Sequence, residues 1–231
     1  AMATILHMQL HTDAAGLPNY DAPRLDAEME LFPEWFLKRH LGVSPSCEDF
    51  DIIEATMMQL RNLALTQPKV FVHRDFHSRN LMLADPANAA VRRLAVIDFQ
   101  DAVRGPMTYD LVSLLRDCYI RWPEADVARW VEHYRCISAQ AGLHQAERET
   151  FRRWFDWMGV QRHLKVLGIF ARLNYRDGKA AYLQDLPLVL HYTLSVCAGY
   201  PELQAFARWL KPLTDGVDLT KVKTPAMTTS A

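Results

Sequence analysis

The sequence predicts a mainly α-helical protein with small β-hairpins set between two helical regions. Three observations carry that expectation. Apolar residues recur every three or four positions over most of the 231 residues, as in Leu25, Met29 and Phe32, or Leu111, Leu114, Leu115 and Cys118. The period gives way between residues 70 and 97, where three short β-prone runs stand close together. Half of the residues are hydrophobic and 23% are charged, which is globular composition with enough apolar material to bury a core.

The elements follow in order. Ala1–Leu10 reads as part of a helix without an N-cap, its partial stripe made by Ile5, Met8 and Leu10. Asp13–Pro23 is a loop bearing Gly16, Pro18 and Pro23. Arg24–Leu41 is an amphipathic helix, kinked or interrupted at Pro33 and ended at Gly42. Glu48–Leu65 is a second helix, with Ile53, Met57, Leu60 and Ala64 on its buried stripe. Val70–Val72, Leu81–Leu83 and Leu94–Ile97 are short strands, the last two joined by the turn-like Asp85-Pro86-Ala87-Asn88. Helices resume at Pro106, a residue suited to a first turn. They continue through Pro123–Ala141, through Gln145–Arg176 with Gly159 and Gly168 as candidate breaks, and through Leu186–Ala198 and Pro201–Leu213. One domain is expected at 1–213, followed by a disordered tail from Thr214 to Ala231.

Charge and cysteine usage bound the partners. Lys plus Arg is 26 and Asp plus Glu is 27, so the net charge of −1 gives no case for nucleic-acid binding. No run of 18 uncharged apolar residues is present, so no membrane span is expected. Ala1–Gly16 lacks the basic start of a signal peptide. Cys47, Cys118, Cys136 and Cys197 form no CxxC pair and read as small buried hydrophobes in a reducing, cytoplasmic compartment.

The chemistry concentrates in the β-prone region. His73-Arg74-Asp75, four residues, then Asn80 spell H-R-D-x-x-x-x-N, and Ile97-Asp98-Phe99 follows after a further strand. Together they match the catalytic loop and the metal-binding Asp of kinases. A hydroxyl attacking a γ-phosphate needs a carboxylate near its proton, and Asp75 offers one. Mg²⁺ on a triphosphate needs oxygen ligands, and the Asn80 amide and the Asp98 carboxylate are suited to that. His73 and Arg74 read as loop-orienting residues. Met82 and Ile97 lie where a nucleotide base would rest, and plain core packing is the alternative for each. Asp110, near the start of the helix after Gly105-Pro106, is suited to capping backbone donors and is grouped with the loop-orienting residues.

At these residues the sequence resembles the aminoglycoside phosphotransferase and choline kinase superfamily, the small-molecule branch of the kinase fold. Gln100 stands where protein kinases carry the glycine of D-F-G, and no A-P-E-like segment follows. The stretches Val72–Asp75, Asn80–Met82, Val96–Val103, Gly105-Pro106, Thr108–Asp110, Glu28–Trp35 and Gly159–Lys165 are similar to the bacterial cell-wall sugar kinases. The resemblance implies ATP and Mg²⁺ as cofactors and the anomeric hydroxyl of N-acetylmuramate or N-acetylglucosamine as acceptor. It also implies the C-terminal lobe of the protein-kinase-like fold. The phosphate-covering loop and strand lysine of the family's N-terminal lobe have no counterpart in these residues. That lobe is therefore expected in cis or in trans. The alternatives are a non-catalytic, partner-binding half-kinase, or a kinase for another small hydroxyl substrate such as an aminoglycoside or choline.

One further feature bears on the acceptor. Arg152–Lys179 holds seven basic residues (Arg152, Arg153, Arg162, Lys165, Arg172, Arg176, Lys179) against Asp156 and Asp177. Such a surface would repel a polycation and would suit the lactyl carboxylate of N-acetylmuramate. A solvated helix face is the alternative. Arg162, His163, Arg172, Tyr175 and Glu30 are the candidate acceptor-binding residues. Trp35, Trp154 and Trp157 are read as core aromatics before sugar platforms.

Overall fold

The computed structural model describes residues 1–83 and 94–222. The expected turn Asp85–Asn88 and the last part of the expected tail, from 223 onward, lie outside them. The chain forms two units, Ala1–Asp26 with Met57–Arg162, and Ala27–Thr56 with His163–Ala231. It is mostly helical with two small antiparallel sheets.

The helices are α1 (Met2–His11), α2 (Ala22–Met29), α3 (Cys47–Leu65), α4 (Tyr109–Leu115), α5 (Glu124–Gln140), α6 (Arg148–Asp177), α7 (Leu186–Gly199) and α8 (Gln204–Thr214). The strands are β1 (Lys69–Val72), β2 (Leu81–Leu83), β3 (Leu94–Val96) and β4 (Val103–Pro106). The core of the first unit joins Ile5, Tyr20, Val72, Phe76, Val103, Tyr109, Val112, Tyr134 and Phe155. Within it Gln9 donates to the Met107 carbonyl and accepts from the Tyr134 hydroxyl, both at 2.8 Å.

The β region departs from the expected hairpin. β1 pairs with β4, Val72 opposite Val103 and Lys69 opposite Pro106, while β2 pairs with β3, Leu81 opposite Val96 and Leu83 opposite Leu94. Val103-Arg104-Gly105-Pro106 carries two turn-forming residues and so hides a strand. Gly105 is needed because a Cβ there would stand 2.9 Å from the Cβ of Tyr20. The proline ends the strand, where a missing N–H is tolerated. The Asp13–Pro23 loop closes over β4: Tyr20 N–H donates to the Arg104 carbonyl and Arg104 N–H to the Pro18 carbonyl, both at 2.9 Å. α4 accordingly starts at Tyr109, later than the expected Pro106, and ends before Cys118.

The helix expected at Arg24–Leu41 is interrupted, as its proline implied. α2 ends at Met29, and a π-helix runs over Phe32–Leu41 with Pro33 in its first turn. Proline has no N–H for a preceding turn but suits the start of a helix, so the pattern breaks there. Gly42 closes it with φ +67°, the left-handed cap expected of glycine. Phe32 stacks on Phe36 at 5.5 Å and meets Phe206 of α8 at 5.9 Å.

α6 is continuous, so neither glycine breaks it. Both lie where the helix is closely approached. A Cβ on Gly159 would lie 3.5 Å from Arg116 Nη1, and one on Gly168 would lie 2.4 Å from the carbonyl carbon of Leu31. The expected tail is held beyond Thr214: Thr214 closes α8, and Leu219 is buried, with its carbonyl 2.9 Å from His40 Nε2. All four cysteines are free. Cys118 and Cys197 are buried, and burial pushes the Cys197 thiol up to about 12, whereas Cys47 is exposed. Among the described residues no helix is long and apolar enough to cross a membrane.

Candidate functional site

The segment after β1 is built on backbone donors. Arg74 takes φ +75°, a left-handed conformation that disfavours a non-glycine residue. Asp110 stabilises it. This fully buried carboxylate accepts from the His73 N–H at 2.8 Å and from the Arg74 N–H at 3.0 Å, one on each oxygen. It makes no cap of its own helix, as the sequence had allowed; α4 has no side-chain cap. Asp117, a residue the sequence reading passed over, does the same for the far end of the loop. It accepts from the Ser78 N–H at 2.8 Å and the Tyr119 N–H at 2.9 Å. No periodic signal marked it, because Asp117 lies two residues past the end of α4.

Asp75 follows Arg74 and is half-buried. Its backbone carbonyl accepts from Asn80 Nδ2 at 3.0 Å, which folds the loop back through the 3₁₀ turn Ser78–Asn80. The same Nδ2 lies 3.4 Å from Asp98 Oδ2. Asp98 is also left-handed, at φ +71°, and Gln100 Nε2 donates to its Oδ1 at 2.7 Å. Gln100 thus orients the carboxylate; the sequence reading used it only to separate kinase branches. The Asn80 side chain therefore ties the Asp75 backbone to the Asp98 carboxylate, while Asp110 holds the amides of His73 and Arg74.

Among the described residues no three His, Cys, Asp or Glu side chains cluster to hold a metal. A zinc site would need such a set. One amide and one carboxylate fit Mg²⁺, which retains waters and takes its remaining oxygens from phosphate. Beside them lies an apolar strip. Ile97 N–H donates to the Asn80 carbonyl at 3.1 Å, so the period of two places Asn80, Met82, Ala95 and Ile97 on one face of the β2–β3 ribbon. Leu81, Leu94 and Val96 pack on the core instead. Met82 is 55% exposed and Phe99 is 68% exposed, so core packing does not account for Met82.

Charge around the loop is uneven. Burial pushes the Asp110 carboxyl up to about 7, against the two amide donors, and the nearby Asp75 charge adds to the rise. Burial lowers His73, opposed by Asp75. The native Asp110 therefore holds a proton that an unfolded Asp releases near pH 4, and the stability it contributes is full below that and lost as pH rises through about 7. Urea unfolding of wild type should show stability falling between pH 5 and pH 7, at roughly one proton of slope, and Asp110→Asn should lack that slope. Asp110→Asn should also lose about 1–3 kcal/mol, because its NH₂ faces one of the two amide donors. An unchanged slope in the variant would remove Asp110 as its source.

The acceptor candidates fare differently. Arg162 is 3% exposed and donates from Nη1 to the Cys118 sulfur at 3.3 Å. His163 is fully buried and stacks on Tyr192 at 5.2 Å. Neither side chain has surface to offer a sugar, a correction that burial imposes on the sequence reading. In the second unit Tyr175 bonds through its hydroxyl to His40 Nδ1 at 3.2 Å, Arg172 is half-buried, and Glu30 is exposed. Three of the seven cations in that stretch meet carboxylates. Arg152 meets Asp156 at 2.8 Å, Lys165 meets Glu28 at 3.0 Å in a nearly buried pair, and Arg176 meets Asp177 at 2.7 Å. Trp157 is buried, as expected of a core aromatic.

A helical protein with a strand-borne loop in which Asn80 joins the Asp75 backbone to the Asp98 carboxylate has the residue order of the kinase catalytic loop. Residues 3–149 match the model of the phosphotransferase enzyme family, and the chain belongs to that family. Relatives named N-acetylmuramate/N-acetylglucosamine kinase share its sequence. That of Neisseria meningitidis serogroup B is 46% identical over 88% of this chain and 59% of its own length. Those of Pseudomonas putida and Pseudomonas aeruginosa are 43% and 44% identical, over 94% and 89% of this chain and 62% and 60% of theirs. The chain thus spans about six-tenths of the length of these relatives.

Proposed function

We propose that the chain is the C-terminal catalytic lobe of an ATP-dependent sugar kinase of the cytoplasm, acting on the anomeric hydroxyl of N-acetylmuramate or N-acetylglucosamine. The observation that carries this is the Asn80 side chain joining the backbone of Asp75 to the carboxylate of Asp98. The names of the relatives supply the substrate class. Their greater length supports a further, nucleotide-clamping lobe outside these residues, for which the exposed face of Met82 and Ile97 forms the opposite wall of an ATP pocket.

In this reading Asn80 and Asp98 would hold Mg²⁺, which would supply charge neutralisation to the phosphates. Gln100 fixes the direction of Asp98. Asp75 orients the acceptor hydroxyl and takes its proton as the oxygen attacks the γ-phosphorus in line and the bond from that phosphorus to the β-phosphate oxygen breaks, releasing ADP, with no phospho-enzyme. Met82 and Ile97 lie under the base. Positioning and charge neutralisation account for most of the rate. The loop bonds to Asp110 and Asp117 hold that arrangement before substrate arrives.

A substrate panel on the complete gene product tests the reading. With ATP and Mg²⁺, both N-acetyl sugars should yield a phosphorus signal at C1 and lose their reducing end. Turnover of an aminoglycoside or choline with none of the N-acetyl sugars would overturn the substrate. A phosphorylated sugar that stays reducing would overturn the anomeric position.

A further inference from the structure

Arg79 lies in the same turn as Asp75, and the proposed chemistry does not use it. The turn is short and closed: Asn80 Nδ2 donates to the Asp75 carbonyl and the Asn80 N–H to the His77 carbonyl, both at 3.0 Å. Arg79 is exposed, yet its side chain is held in place. Its guanidinium carbon stands 3.5 Å from the centre of the Tyr119 ring, a separation that only a face-to-face stack allows. Among the described residues the next such contact, Arg116 over Phe155, is at 4.9 Å.

The platform under Arg79 is fixed. Asp117 accepts from the Ser78 N–H with one oxygen at 2.8 Å and from the Tyr119 N–H with the other at 2.9 Å. One carboxylate thus pins both the residue before Arg79 and the residue beneath it, and its two oxygens are taken by amides. His77 meets the Tyr119 ring nearly at right angles, with centres 5.3 Å apart. A stacked guanidinium stays charged and still offers the N–H edge of its fork in the plane of the stack. Among the described residues no carboxylate pairs with it.

The turn also sets the direction of that side chain. Ser78–Asn80 is a 3₁₀ turn with three residues per turn, so successive side chains leave it about 120° apart. Asn80 goes to Asp98, the side proposed for Mg²⁺ and the phosphates. Arg79 leaves on another side, toward Tyr119 beyond the end of α4. In-line transfer brings the acceptor to the γ-phosphorus from the side opposite ADP. Arg79 therefore shares a turn with Asp75 on a flank that the metal side does not occupy.

We propose that Arg79, held flat on Tyr119, is the subsite for a carboxylate on the sugar acceptor and sets the preference for N-acetylmuramate, which carries a lactyl carboxylate, over N-acetylglucosamine, which has none. The inference rests on the reading of the chain as a sugar kinase and adds a specificity residue to it. A guanidinium fork matches a carboxylate with two parallel hydrogen bonds. Stacking has already ordered the side chain, so less rotamer freedom is lost when the anion binds.

The test sets the two sugars against each other on the complete gene product. Arg79→Gln should lower the ratio of kcat/KM for N-acetylmuramate over N-acetylglucosamine roughly 10-fold, through KM, the scale of one charge-assisted hydrogen bond. Arg79→Lys keeps the charge without the fork or the flat face and should restore only part of the ratio. Tyr119→Leu removes the platform and should lower the same ratio roughly 3-fold, whereas Tyr119→Phe should keep it. An unchanged ratio in Arg79→Gln would overturn the subsite. So would an equal loss for both sugars, which marks damage to the turn, or a raised KM for ATP with the ratio kept, which marks a phosphate contact. Should the wild type phosphorylate neither sugar, the proposed substrate fails, and calorimetry without ATP still decides the subsite. Weaker binding of N-acetylmuramate to Arg79→Gln than to wild type would uphold it, and equal binding or none would overturn it.

Discussion

Asp75→Asn in the complete gene product should lower kcat about 10³-fold with little change in KM for the sugar or ATP, the loss expected when a positioned proton acceptor is removed. The substitution keeps the shape of the side chain and removes its negative charge, and with it the ability to take a proton. The loop should survive it. What Asp75 contributes to the fold is its backbone carbonyl, which holds Asn80 Nδ2 at 3.0 Å and is untouched by the change. The amides of His73 and Arg74 stay on Asp110, and that of Ser78 stays on Asp117. Steady-state kinetics with unfolding measured alongside separates the two effects. A variant that is as stable as wild type and turns over at the wild-type rate would remove Asp75 from the chemistry.

The second large effect falls on stability and on one helix. Gly168→Ala should destabilise the protein by about 3 kcal/mol, the upper end of ordinary overpacking. Helix propensity alone predicts the opposite, a gain of about 1 kcal/mol for replacing glycine in a helix interior. Sterics win because the new Cβ meets main chain. It would stand 2.4 Å from the Leu31 carbonyl carbon and 2.5 Å from its oxygen, atoms that move only if the Phe32–Leu41 π-helix moves with them. Gly159→Ala, nine residues earlier in α6, is the control. Its Cβ would make an ordinary 3.5 Å contact with the end of the Arg116 side chain, so a change within about 1 kcal/mol is expected. Equal midpoints for the two variants in urea would show that the approach of Leu31 is not what holds that position.

The same helix shows why some features were legible in the sequence and others were not. The 3.6-residue period identified α3, α5, α6 and α7, because each helix meets its neighbours through a local stripe. Gly159 and Gly168 looked like breaks, since a glycine in a helical run has the same local signature whether it ends the helix or admits a neighbour. β4 was missed for a related reason. Val103–Pro106 is stable only through its pairing with β1 and with the Pro18–Tyr20 segment, neither of which the local residues reveal. Pro33 was recognised as a disturbance, but its outcome, a separate π-helix, depends on how Phe32, Phe36 and Leu41 are buried.

By itself the sequence determined the helical periodicity, the order His73, Asp75, Asn80, Asp98 and the membership of a phosphotransferase pattern, all of which are properties of residue type and short spacing. Only the tertiary structure decided which charges serve the loop. Asp110 and Asp117 reach its amides across 36 to 39 positions of chain, and Arg152, Lys165 and Arg176 are spent on carboxylates instead of forming a cationic face. The physical reason is that a charge acts through distance and burial, and neither is set until segments far apart in sequence have packed together.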